Sequence, residues 1–131
     1  MESQDKPLVV AVVDDEIALR EALESLLRSA GYRIRAHSSA EEFLRYEALE
    51  DVACLVLDLR LQGISGLALQ ERMSAMRLHV PIVFITAQSD AHGQLRSRAL
   101  DRGAVAFLHK PFGDEQLLEA VRSACAHHGQ H

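Results

Sequence analysis

Residues 8–16 read LVVAVVDDE, and this stretch decides the fold. The six apolar residues at 8–13 are rich in β-branched valine and show no alternation of apolar with polar side chains. They fit a strand covered on both faces, the kind found in parallel sheets with helices packed on either side. The strand stops abruptly at Asp14, Asp15 and Glu16. A helix follows, in which Leu19, Leu23, Leu26, Leu27 and Ala30 recur at helical spacing and Gly31 supplies the stop.

Working outward, the same alternation of short apolar run and amphipathic stretch repeats along the chain. Residues 32–37 alternate as an edge strand. Ser39 followed by Glu42 reads as a capping box opening a second helix, with Phe43, Leu44 and Leu49 on its apolar side. Residues 52–57 (VACLVL) form another buried strand that runs into Asp58, after which Gly63 and Gly66 mark a loop and residues 67–76 a helix. The next strand, residues 82–85, starts after Pro81 and ends in Thr86 and Ala87. Residues 90–102 are expected to form a weakly amphipathic helix with an interior Gly93 and the poorest packing of the set. Residues 104–108 make the last strand, which ends at Lys110-Pro111, and residues 114–126 make the last helix. Five strand–helix units imply right-handed crossovers and helices on both faces. The expected fold class is therefore α/β, a flavodoxin-like doubly wound (βα)5 domain with a parallel five-stranded sheet of order 2-1-3-4-5.

Length and composition agree with one domain occupying residues 1–131, its core spanning about 8–126. The chain has 131 residues, 48% hydrophobic and 25% charged, with a formal charge of −5. A domain of this size needs no disulfide or structural metal, and its acidic excess argues against nucleic-acid binding, which needs clustered Lys and Arg. The apolar run at 8–13 is too short for a signal sequence or membrane span, so a cytoplasmic protein without membrane attachment is expected. Cys54 and Cys125 stand in apolar surroundings with no CxxC or metal-site spacing and read as buried free thiols. His127 and His131 are four apart, but Gly129 interrupts any helix that would bring them together. Basic charge is nearly all arginine: Lys6 and Lys110 are the two lysines.

In doubly wound sheets the functional crevice lies beyond the carboxyl ends of the strands. Four of the five strand ends carry polar groups there: Asp14 and Asp15, Asp58, Thr86, and Lys110. The second strand contributes nothing obvious. Three neighbouring carboxylates repel one another unless a cation neutralises them or one protonates. Lys110 supplies one charge, and the remaining excess suits a hard divalent ion, Mg²⁺ being apt for one or two carboxylates plus waters and phosphate oxygens. Aspartate is also a competent nucleophile toward phosphoryl groups. Asp14 and Glu16 equally suit the N-terminus of a helix, where negative charge is favourable.

These residues resemble the receiver domain of two-component response regulators, in the CheY-like superfamily and nearest in style to receivers of LuxR/FixJ-type transcriptional regulators. The acidic pair of VVDDE, the lone aspartate of LVLDLRLQGISG, the Thr-Ala of FITAQ and the Lys-Pro of FLHKPF match the family pattern in order and location. The resemblance implies that Asp58 accepts a phosphoryl group from the phosphohistidine of a histidine kinase or phosphotransfer protein. By the same match Asp15 and Asp58 ligate Mg²⁺ directly, Asp14 acts through its waters, and the backbone carbonyl of Arg60 is a further ligand. Lys110 pairs with phosphoryl oxygens, the bond to Pro111 is cis, Thr86 is the switch hydroxyl, and Phe107 is the aromatic switch residue that turns inward. The fourth helix, fifth strand and fifth helix form the face that responds, with a phosphorylation-dependent homodimer as one outcome. Gln62 and Gly63 depart from the usual Met-Pro loop, Gly113 is a weaker helix cap than Ser or Asp, and Arg60 and Gln88 occupy the positions that tune dephosphorylation. A haloacid-dehalogenase-type phosphatase would need a carboxylate where Arg60 stands. An FMN-binding flavodoxin would need a phosphate-cradling loop where the acidic run stands.

Overall fold

The computed structural model of the protein describes residues 7–87 and 93–127. Five strands, β1 (Val9–Val13), β2 (Arg33–His37), β3 (Val52–Asp58), β4 (Ile82–Thr86) and β5 (Ala106–His109), alternate with five helices. The helices are α1 (Ile17–Ser29), α2 (Ala40–Tyr46), α3 (Gly66–Ala75), α4 (Gln94–Asp101) and α5 (Asp114–Ala126). The sheet is parallel and its order is β2-β1-β3-β4-β5, the flavodoxin-like arrangement expected from the run of apolar strands.

Alternate residues of the central strands feed two separate halves of the core. Ala11, Val13, Leu55, Leu57, Phe84 and Phe107 face α2, α3 and α4. Val10, Val12, Cys54, Val56, Val83, Ile85 and Leu108 face α1 and α5, meeting Leu23, Leu27, Leu117 and Val121. Both faces of β1, β3 and β4 are thereby removed from water, which is why these strands carry no polar alternation. Their register then brings Val13 beside Leu57 and Asp58 beside Ile85, so the residues that end the strands stand in one row.

Local signals act as expected at most boundaries. The Ser39 hydroxyl accepts from the Glu42 N–H at 3.0 Å, while the Glu42 carboxylate accepts from the N–H of Ser38, one residue earlier than in the ideal capping box. Gly31 and Gly103 follow α1 and α4 with φ of 98° and 101°, the left-handed conformation that closes a helix.

Three expectations are corrected. Leu49 is buried, but α2 ends at Tyr46 and Leu49 belongs to a separate 3-10 turn, Leu49–Asp51. Gly93 is not interior to the fourth helix: its φ of 67° is incompatible with continuing helix, and it stands as the N-cap of α4. The expected start at Asp90, Gln88, and the His131 partner of His127 lie outside the described residues. Lastly, Cys54 and Cys125 are both free thiols as expected, but only Cys54 is buried and Cys125 is half-buried. They share the α1/α5 half of the core, and the Cys54 thiol is pushed well up by its contact with Cys125 and by burial. The packing of α4 is sparse as expected, with Ala99 its one fully buried residue.

Candidate functional site

The site is assembled from strand ends. Asp14 follows β1 and is fully buried, Asp15 beside it is exposed, and Asp58 is the last residue of β3, nearly buried. Carboxylate oxygens of Asp14, Asp15 and Asp58 lie within 4.8 Å of one another. At an effective dielectric of about 20, each such pair of charges repels by roughly 3–4 kcal/mol. Lys110, just beyond β5, answers part of this: its Nζ donates to Asp58 Oδ2 at 3.1 Å and to Asp14 Oδ2 at 3.4 Å.

Each group is held by backbone. Asp14 Oδ1 accepts from the Glu16 N–H at 2.8 Å, and Asp58 Oδ1 accepts from the Arg60 N–H at 2.9 Å. Asp15 Oδ2 accepts from the Gln62 N–H at 3.3 Å. Lys110 N–H donates to the Thr86 carbonyl at 2.8 Å, and the Lys110–Pro111 bond is cis. Thr86 is fully buried at the end of β4, one residue past the register partner of Asp58. The Arg60 side chain points to solvent, so no carboxylate stands where a phosphatase of the dehalogenase type would need its acid.

The second strand, whose end carries no obvious signal in the sequence, contributes through its backbone. The His37 carbonyl at the end of β2 accepts from the Asp14 N–H at 3.2 Å, and the His37 ring is itself clasped by Glu42 and Glu47. Two other supports escaped sequence reasoning. Arg20 on α1 donates to the Asp14 carbonyl at 2.7 Å, and Glu41 on α2 accepts from the Ile64 N–H at 3.1 Å, tying down the loop after Asp58. Arg20 sits four residues after Glu16, a spacing that could have flagged it; the Glu41 contact has no local signal.

The electrostatics show which charge is least satisfied. Burial is the largest influence on Asp14 and Asp58 adds repulsion, so although the Glu16 N–H and Lys110 pull the other way its pKa is pushed up to about 6. Burial opposes the charge on Lys110, but the hydrogen bond and charge of Asp58, with Asp14 behind it, outweigh that and raise its pKa. Lys110 is therefore a fixed ammonium. One cation among three carboxylates leaves a net negative pocket of oxygen donors, the donor set a hard divalent ion takes.

A consequence for stability follows. Between the ordinary carboxylate pKa and about 6, folded Asp14 holds a proton that the unfolded chain has released. In metal-free buffer its contribution is therefore fully present below the ordinary carboxylate value of 3.8 and is lost as pH rises through about 6, on the order of 2–3 kcal/mol. Urea unfolding in chelator across that range should show the decline, Asp14→Asn should flatten it, and Mg²⁺ at the upper pH should reverse it. A wild-type profile as flat as that of the variant would contradict the assignment.

The aromatic residue expected to act in the switch is also located. Phe107 on β5 is 3% exposed, with its ring centroid 6.2 Å from Phe84 and 5.5 Å from His109. The ring expected to turn inward is already inward. Arg96 on α4 donates to the Phe107 carbonyl at 3.1 Å, fastening α4 to β5.

Comparison with known proteins gives a consistent picture. The family model for the response regulator receiver domain matches residues 10–122. Nodulation protein W of Bradyrhizobium diazoefficiens is 44% identical over 116 residues, covering 88% of this chain and 50% of the relative. Transcriptional regulatory protein FixJ of Azorhizobium caulinodans is 39% identical over 117 residues, covering 89% and 54%. The chain thus spans about half the length of the curated relatives it matches. Among solved structures, response regulator StyR superposes with a TM-score of 0.86 at 42% identity, covering 93% of this chain and 61% of that one. The structure titled FixJ-N gives 0.81 at 34% identity, covering 93% and 96%. Among the described residues no helix is long and apolar enough to cross a membrane.

Proposed function

Because this chain belongs to the response regulator receiver family of two-component signalling, we propose that it accepts a phosphoryl group on Asp58 from the phosphohistidine of a histidine kinase or phosphotransfer protein. The convergence of Asp14, Asp15, Asp58 and Lys110 at the strand ends carries this reading. An oxygen of Asp58 forms the new O–P bond as the N–P bond to the donor imidazole breaks, and the leaving imidazole keeps the electron pair. Lys110 stays charged throughout and gives a point charge to a phosphoryl oxygen. The Arg60 N–H holds the second Asp58 oxygen, fixing the nucleophile's orientation.

Mg²⁺ held by Asp15, Asp58 and the Arg60 carbonyl, with Asp14 acting through water, would neutralise phosphoryl oxygens and relieve the repulsion within the acid cluster. Incubation with acetyl phosphate and Mg²⁺ should add one phosphoryl mass to the intact protein. Omitting Mg²⁺ should suppress the adduct by at least about a hundredfold, since charge neutralisation of several kcal/mol is withdrawn. An adduct that forms equally well in chelator overturns the Mg²⁺ assignment.

The output is the face of α4, β5 and α5. Since Phe107 is already buried, the step left to phosphorylation is capture of the Thr86 hydroxyl, which fixes the inward ring and the Arg96 tie and shifts the population of α4 arrangements. This face then engages an output module or a second copy of the chain. The names of relatives such as Transcriptional regulatory protein TdiR of Thauera aromatica support control of transcription as that output, exerted in the cytoplasm, with no nucleic acid bound by this acidic domain itself. Amide exchange with and without beryllofluoride should differ across residues 86–112, with protection gained in α4. Identical exchange in the two states would remove the switch from this face.

A further inference from the structure

The loop between β3 and α3 carries two of the groups on which the acid cluster depends, the Arg60 main chain and the Gln62 N–H that bonds Asp15. Its sequence, residues 59–65, is LRLQGIS, with no proline to fix a φ angle and a glycine at its turn. Gly63 stands at φ 79°, in the left-handed region that glycine enters freely and leaves as freely. Leu61 and Ile64 give the loop an apolar footing on the core. Among the described residues, two carboxylates tie down the main chain of residues 61–64. Asp15 Oδ2 accepts from the Gln62 N–H at 3.3 Å, and Glu41 Oε2 accepts from the Ile64 N–H at 3.1 Å.

The two carboxylates are not equivalent. Asp15 belongs to the acid cluster, so its oxygens are called on both by the Gln62 N–H and by any ion held there. Glu41 stands apart from that cluster, on the first turn of α2, a turn set by the Ser39 hydroxyl at its N-cap. Its carboxylate lies over Gly63, where an added Cβ would stand 2.5 Å from Oε2 and 3.3 Å from Cδ. Glycine at 63 thus gives the loop its turn and leaves room for the carboxylate. An acid in the first turn of a helix is favourable with no partner beyond the helix itself, yet this one reaches across 23 residues to a loop amide.

We propose that Glu41 is a positioning residue for the metal site, a strap from α2 that keeps the loop in its binding form while Asp15 gives its oxygens to the ion. The proposal rests on the reading of Asp14, Asp15 and Asp58 as a Mg²⁺ site. A loop held beforehand presents the Arg60 carbonyl without an ordering cost at the moment of binding. The β2–α2 connection then braces the site on both flanks: the His37 carbonyl holds Asp14, and Glu41 holds the loop after Asp58.

The test is a MgCl₂ titration of the ¹⁵N-labelled chain at fixed ionic strength, read from the amide shifts of residues 58–64 in wild type, Glu41→Ala and Glu41→Gln. Glutamine keeps an oxygen that accepts from the Ile64 N–H and loses the charge, so it separates positioning from electrostatic attraction. Glu41→Ala should bind Mg²⁺ about three- to tenfold more weakly, and Glu41→Gln within about twofold of wild type. In the metal-free chains, backbone order parameters of residues 61–64 should fall from about 0.85 toward 0.6 in the alanine variant alone. Alanine equal to wild type in Mg²⁺ affinity, or glutamine as weak as alanine, which would leave Glu41 merely a charge, overturns the strap. A wild type that takes up no Mg²⁺ overturns the metal reading beneath it, and the strap's role with it.

Discussion

Asp58→Asn is expected to abolish the phosphoryl adduct completely while leaving the fold as stable as wild type or more so. Asparagine has the same shape and still accepts from the Arg60 N–H, but a neutral amide has no carboxylate oxygen with which to attack phosphorus. The effect on stability has the opposite sign for a stated reason. Asp58 sits with two like charges, Asp14 and Asp15, and one unlike charge, Lys110. Removing it relieves two repulsions of roughly 3–4 kcal/mol each for one attraction of roughly 5 kcal/mol lost, at an effective dielectric of about 20 before solvent screening. Intact mass after acetyl phosphate and a thermal melt in chelator read the two outcomes separately. A phosphoryl adduct that persists on the variant would falsify the acceptor assignment.

The second large effect lies in a residue without chemistry. Gly66 opens α3 directly beneath the site, and a Cβ there would stand 2.5 Å from the Asp58 carbonyl oxygen, 3.0 Å from Leu59 Cα and 3.2 Å from Phe84 Cε1. Helix propensity favours alanine over glycine by up to about 1 kcal/mol. The clash wins, because its nearest targets are backbone atoms of the β3 end that no rotamer change can move aside. Gly66→Ala should cost about 2–4 kcal/mol in urea unfolding and also slow phosphorylation by displacing Asp58. Gly113→Ser, at the open N-cap of α5 where a Cβ meets nothing within 4 Å, should stay within about 1 kcal/mol of wild type. Equal stabilities for the two variants would refute the close-approach argument.

The strand ends were legible in the sequence because a parallel sheet forces them to be. Apolar runs such as VVAVV and VACLVL stop where burial stops, and the first residues past them, Asp14 and Asp58, share one edge whatever the helices do. What stayed hidden travels through the main chain or across distant segments. The His37 carbonyl that holds Asp14 has no side-chain signature, since any residue supplies a carbonyl. Glu41 reaches a loop 23 residues away, and its carboxylate looks in sequence like another acid in the first turn of a helix. The bounds of α4 were misread for a different reason. Period alone does not distinguish a glycine inside a helix from one that begins it, and the φ of Gly93 decides that point. The neighbouring pair Cys54 and Cys125 illustrates the same limit, for the contact exists solely through packing of α5 on β3.

Lys110 and Asp14 are 96 residues apart in the chain, and Lys110 and Asp58 are 52 apart. No short piece of this polypeptide holds the charge constellation, which comes into being when the last strand joins the sheet. A cation that binds there binds the assembled molecule and not the coil, so its binding energy adds to the folding equilibrium of the entire sheet. Signal reception is thereby conditional on structural integrity: a nascent, frayed or partly melted chain presents scattered aspartates and is silent toward its donor, and every molecule that carries the phosphoryl mark has first completed its fold.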